Sequence, residues 1–167
     1  YQKLRRAIKA SGAKVISARD GDADTLGDAK ITIVGPVGTP EDLNNASVVM
    51  KVVYGKNSFL FTGDAEEKSE KKILPNGADI KADVLKLGHH GSSTSTSEEF
   101  LKVVSPSLAL ISCGKDNDYG HPHKETIEKL EKYNIPYERT DIKGTIVVGS
   151  DGEHLSTAFP DNKTAEK

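Results

Sequence analysis

The chain has 167 residues, with 23 Lys and Arg against 25 Asp and Glu and a formal charge of −2. That length suffices for one domain with its own core, and the charge balance gives no global electrostatic pull on nucleic acid, so any phosphate contact has to be local. Its single cysteine, Cys113, excludes an internal disulfide and a cysteine zinc knuckle, and no apolar run approaches the roughly 18 residues of a membrane helix.

Leu4, Ala7 and Ile8 fall at helical spacing among Lys3, Arg5, Arg6 and Lys9, which predicts an amphipathic surface helix over Tyr1 to Ala10, stopped by Ser11-Gly12. Lys14 to Ala18 reads as a short strand, Asp20 to Asp28 as an Asp- and Gly-rich turn, and Lys30 to Val34 as an edge-like strand. The acids of that turn do not follow the fixed ligand positions of an EF-hand loop. Val48 to Val53 and Ser58 to Phe61 are strands separated by the Tyr54-Gly55-Lys56-Asn57 turn. From Ala65 to Ile73 the acids come early and the lysines late, as a helix dipole favours, and Asp64 is placed as the N-cap. Asp83 to Leu87 is a further strand, and Ser95-Thr96-Ser97-Glu98 resembles a capping box opening a helix from Glu98 to Val104, ended by Pro106. Leu108 to Gly114 is a strand candidate, Lys124 to Tyr133 a helix with Ile127 and Leu130 inward, Gly144 to Val148 a final strand, and 161–167 a frayed tail. The alternation predicts an α/β layered domain with its polar clusters along one edge of the sheet.

Those clusters carry the chemistry. Thr62-Gly63-Asp64 ends one strand, Gly88-His89-His90-Gly91-Ser92 ends the next, and Asn117, Tyr119, Gly120, His121 and His123 follow a third. Carboxylate and imidazole at one sheet edge are how a borderline divalent metal such as zinc is held. Ordinary roles compete with this reading. A histidine after a strand often only hydrogen-bonds, Asp64 can cap, and the hydroxyls from Ser92 to Ser97 can serve turns. Cys113, inside an apolar run, reads as a small buried hydrophobe.

The succession Asn44-Asn45-x-Ser47, Phe59-Leu60-Phe61-Thr62-Gly63-Asp64, Leu85-Lys86-Leu87-Gly88-His89-His90-Gly91-Ser92, and Ser112-x-Gly114 through Gly120-His121-Pro122 resembles the metallo-β-lactamase fold. Within that fold it is most similar to the soluble hydrolase domain of ComEC-type competence proteins, over about Tyr1 to Val148. The resemblance implies a four-layer αββα sandwich with two metals, zinc or manganese, where two similar halves meet, and hydrolysis of phosphodiester bonds in DNA. By the same likeness Asp64 is the bridging carboxylate and His89 a metal ligand, with His90 beside it as a second ligand or a proton donor. His121 is either a proton donor or the terminal ligand, and Asn45 and Ser92 are candidate contacts to a phosphate. The likeness also implies a site outside the cytoplasm.

The family's His-x-His-x-Asp-His cluster occurs nowhere in the chain; His121-Pro122-His123 has the first spacing, but Glu125 and Thr126 follow. The expectation is therefore that residues 1–160 are the C-terminal half of such a sandwich, holding metal weakly or not at all alone. Its partner is then the missing N-terminal half, or a second copy forming a homodimer over the open sheet face. The rival expectation is a non-catalytic domain of the same fold whose polar edge binds a ligand or partner.

Overall fold

The computed structural model describes residues 2–162, so Tyr1 and most of the expected tail, 163–167, lie outside the described residues. An exposed amphipathic helix, α1 (Gln2–Ser11), precedes a seven-stranded sheet. Its strands stand side by side in chain order: β1 (Ala23–Leu26), β2 (Ala29–Gly35), β3 (Val49–Tyr54), β4 (Asn57–Phe61), β5 (Val84–Lys86), β6 (Leu108–Ile111) and β7 (Tyr137–Arg139). The first four pair antiparallel through short turns, whereas β4 through β7 are parallel. Parallel neighbours require crossovers, supplied by α2 (Glu67–Ile73), α3 (Glu98–Val104) and α4 (Lys124–Lys132). Right-handed crossovers that advance one way across a sheet lay their helices on one face.

Burial follows that arrangement. Leu60, Leu85 and Ala109 are register partners, and all are fully buried against Ile73 of α2, Phe100, Leu101 and Val104 of α3, and Leu130 of α4. One residue along, Phe61, Lys86 and Leu110 are again register partners but project from the opposite face, because strand side chains alternate. Phe61 is 39% exposed, and Met50, Val52, Phe59 and Leu110 on the same face are half-buried. Val84 shares this second face and is buried outside the main cluster. The sheet thus has one helix-covered face and one partly open apolar face.

Five expectations are corrected. Lys14 to Ala18 forms no strand: Val15 and Ile16 are 75% and 67% exposed, so their apolar alternation has no sheet to pack on. The Asp-rich stretch instead carries β1, paired to β2 across the Gly27-Asp28 turn, which makes β2 an interior strand. Asp64 is not the cap of α2; that position is Glu66. After the short helix α5 (Thr140–Lys143), the last expected strand shifts to β8 (Val147–Ser150) and pairs with β9 (Leu155–Ala158). This hairpin docks on the β3–β4 turn, where Lys56 N donates to Gly152 O at 2.7 Å and Ser150 Oγ donates to Asn57 Oδ1 at 2.6 Å. Gly55, at φ 58, lies so close to the Gly152 backbone that no Cβ fits. Pro160–Asn162 closes the described chain as a 3₁₀ turn. Among the described residues no helix is long and apolar enough to cross a membrane.

Candidate functional site

At the end of β4 the chain turns sharply. Thr62 Oγ1 donates to Lys86 O at 2.8 Å, and Gly63, at φ 55, passes so near Ser47 that an added Cβ would meet its Cβ at 2.9 Å. Asp64 N then donates to Ser47 Oγ at 3.0 Å. At the start of α2, Glu66 N donates to Asn45 Oδ1 at 3.2 Å, and Ser69 N is shared between Glu66 O at 2.9 Å and Asn45 Oδ1 at 3.1 Å. With Asn45 capping the helix, the Asp64 carboxylate is left half-exposed and facing the end of β5.

That end is strained. His89 (φ 47, ψ 43) and His90 (φ 56, ψ 23) both occupy the left-handed region, which costs a non-glycine residue about 1 kcal/mol or more. His89 N, bonded to Gly63 O at 3.0 Å, and Ser92 N, bonded to His89 O at 2.9 Å, hold the turn. Its hydrogen bonds also fix which ring nitrogen carries the proton. His90 Nδ1 lies 2.6 Å from Ser112 O, a pure acceptor, so Nδ1 donates and Nε2 is a lone pair in the neutral ring. That Nε2 faces Asp64 Oδ1 at 3.3 Å. Two acceptors so placed are reconciled by a shared proton or a cation.

His89 follows the same logic. Its Nδ1 is 3.0 Å from Glu66 Oε1. Burial alone would raise the Glu66 pKa, but hydrogen bonds from Thr94, Asn44 and His89 outweigh it and hold the carboxyl below its ordinary value. Glu66 therefore accepts, leaving His89 Nε2 as the open lone pair. A carboxylate behind an imidazole is a recurrent arrangement for orienting metal-ligating histidines.

His121 joins the two. Its ring centroid is 5.4 Å from that of His89 and 6.4 Å from that of His90. Burial and then the neighbouring His123, His89 and His90 push its pKa below the ordinary value, against the opposing pull of Asp64. His123, although 4.8 Å from His121, is of another kind. Its Nδ1 accepts from Ser93 N at 3.0 Å and its Nε2 donates to Tyr119 O at 3.1 Å, so both nitrogens are engaged in holding loops together.

Asn45 and Ser92 are buried, at 4% and 3% exposure. The Asn45 amide group also donates to Asp42 at 2.9 and 3.0 Å, and Ser92 Oγ is within 3.0 Å of Thr94 Oγ1. Glu66 and Lys86 were not singled out from the sequence. A glutamate two residues past Asp64, and a lysine inside the apolar run Val84 to Leu87, were the available signals. Lys86 Nζ donates to Leu87 O at 2.7 Å, and burial lowers its pKa against the opposing pull of Asp64 and Cys113. Cys113 is no nucleophile: burial and its hydrogen bond to Asp141 push the thiol up to about 11.

In kind, this donor set suits a divalent cation; in number it falls short. Among the described residues no three His, Cys, Asp or Glu side chains stand close enough together to hold an ion. Asp64 and His90 are one convergent pair, with His89 and His121 beside it.

ComE operon protein 3 of Bacillus subtilis (strain 168) is 38% identical over 146 residues, 87% of this chain and 19% of that protein. Recombination protein 2 of Haemophilus influenzae is 45% identical over 105 residues, 63% of this chain and 13% of that protein. Competence protein ComA of Neisseria gonorrhoeae is 39% identical over 109 residues, 65% of this chain and 16% of that protein. The chain spans about a fifth or less of the length of these curated relatives. A profile of the metallo-beta-lactamase superfamily matches residues 2–115, more than half of the chain and the whole sheet as far as the end of β6, and on that ground the chain belongs to the metallo-beta-lactamase superfamily.

Proposed function

We propose that the chain is one half of a divalent-metal hydrolase, using zinc or manganese, that cleaves phosphodiester bonds in DNA within a longer protein. One observation carries the reading: His90 Nε2 meets the Asp64 carboxylate at 3.3 Å, on a backbone held in the left-handed region. Residues 1–160 form, in this proposal, the C-terminal half of a four-layer αββα sandwich. The partly open apolar face through Phe59 and Phe61 supports it, since exposed apolar surface of this kind marks a contact. The other half would bring the His-x-His-x-Asp-His ligands this chain lacks. The likeness to a competence protein supports association with nucleic acid, DNA in this proposal, and a site outside the cytoplasm belongs to the same proposal.

A divalent ion bound there would supply Lewis-acid polarisation of a phosphoryl oxygen. The chain's own residues do the rest. Asp64 and His90 offer the donors, Glu66 orients His89, and His121 presents an imidazole that can accept a proton or join the ligands. Asn45 and Ser92 serve this site by position, the first capping α2 behind Glu66 and the second fixing the turn after His90.

In the longer protein Asp64→Asn is expected to lower zinc- or manganese-dependent DNA hydrolysis by at least about a hundred-fold. Wild-type activity in that variant would remove Asp64 from the site. A second reading, in which the polar edge binds a ligand or a second copy of the chain without turnover, is favoured by the lack of any three-donor group among the described residues. Metal content, hydrolysis and oligomeric state of the 167-residue chain, compared with the longer protein, separate the two.

A further inference from the structure

Beside the histidines stands an aromatic ring with no structural task on its outer side. Tyr119 is 78% exposed, yet its ring lies 5.7 Å from that of His121 with only 19° between the planes. The loop carrying it is tightly held. Asn117 Nδ2 donates to Gly114 O at 2.9 Å and to His121 O at 2.7 Å, while His121 N donates to Asn117 Oδ1 at 3.0 Å and Gly120 N to Asn117 O at 3.1 Å. His123 Nε2 holds the Tyr119 carbonyl at 3.1 Å, and Ser93 N anchors His123 from the other side. An exposed tyrosine on a loose loop is unremarkable. One fixed by its backbone and aligned with a second ring is preorganised, so a ligand stacking on it incurs little ordering cost.

We propose that Tyr119 is a nucleobase-stacking residue of the candidate site and that its substrate class is an unpaired strand, a single strand or frayed end, rather than an intact duplex. Ring-to-ring steps of 5.7 and 6.4 Å lead from Tyr119 through His121 to His90. That is a span of a few nucleotides at the roughly 3.4 Å per-strand spacing of stacked bases. A phosphate near Asp64 therefore has a base a few nucleotides along the strand within reach of the tyrosine. Duplex bases present only their edges in the grooves, so a ring face here selects bases already unstacked. Aromatic stacking is tolerant of sequence, and the chain's lack of a global electrostatic pull on nucleic acid leaves local contacts of this kind to supply affinity.

The inference rests on the hydrolase reading, and the test keeps the two apart. Binding of fluorescein-labelled dT8, and of an abasic strand with the same phosphates, is measured by anisotropy in EDTA on the longer protein as wild type, Tyr119→Ala and Tyr119→Phe; turnover of both strands is then followed with manganese. Wild type is expected to bind dT8 roughly ten-fold or more tightly than the abasic strand. Tyr119→Ala should lose that preference, Tyr119→Phe should keep it, and with manganese Tyr119→Ala should raise KM for dT8 while leaving kcat unchanged. Equal affinity of wild type for both strands, or an unchanged preference in Tyr119→Ala, overturns the stacking site even if both strands are cut. Preference without turnover overturns the hydrolase and supports the stacking site.

Discussion

Two polar networks occupy the same end of the sheet, and they differ in what is left over. In the first, Glu70 is 2% exposed and accepts from Thr96 N at 2.6 Å and Ser97 N at 2.8 Å, while Lys129 Nζ donates to Ser95 O and Thr96 O at 3.0 and 2.7 Å. These bonds tie α2, α3 and α4 together. In the second, the His90 and Asp64 side chains are 48% and 44% exposed, and their closest atoms are two acceptors. A buried polar atom without a partner costs about 1–3 kcal/mol, so burial turns polar residues into scaffold. Groups that keep an unmet lone pair stay at the opening, where a ligand can meet it.

Substitutions should separate the networks in opposite directions. The largest effect on stability is expected from Glu70→Ala, which strands two buried amides and should cost about 2–4 kcal/mol in urea unfolding while leaving Asp64 and His90 untouched. A loss under about 1 kcal/mol would mean that water replaces the carboxylate and that the network is not scaffold. Its pH dependence has a definite sign. Burial holds the Glu70 pKa above its ordinary value despite the amide bonds, so its contribution is full below the unfolded pKa and is lost as pH rises through the folded one. Wild-type stability relative to Glu70→Gln should therefore fall across that window, and parallel curves would contradict the shift.

A smaller effect of opposite sign is expected from His90→Gly. Glycine relieves the left-handed backbone but forfeits the bond to Ser112 O, so stability should rise by about 0.5–1 kcal/mol while zinc affinity falls. A destabilised variant would show that the Ser112 bond outweighs the relieved backbone strain. Smallest of all, Asp64→Asn should change stability by no more than about 0.5 kcal/mol, so its effect on activity cannot be ascribed to unfolding.

Much of this was legible in the sequence because it is local. The apolar runs of β3 to β6 declare themselves within a few residues, but the capping box read at Ser95 to Glu98 does not form: α3 is capped by Ser97, whose Oγ accepts from Phe100 N at 3.3 Å, while Ser95 Oγ donates to Gly88 O at 2.7 Å. Asp64, His89 and His90 likewise stand directly after strands. What stayed hidden depends on partners far along the chain. The division of labour between His121 and His123 is set by Ser93, 30 residues before His123, and His89 is oriented by Glu66, 23 residues before it. Asp64 looked like a cap because Asn45, on a separate loop, does that work. Val15 and Ile16 have strand-like chemistry but no neighbouring strand, and β9 has a neighbour but a polar sequence.

The most direct test of the central claim, that the half-open histidines and not the engaged one face a metal, is nitrogen NMR of this chain with 15N-labelled histidine, titrated with excess zinc. The Nε2 resonances of His90 and His89 are expected to move while those of His123 stay in place. Equal movement of His123, or no movement of any ring, would contradict the account.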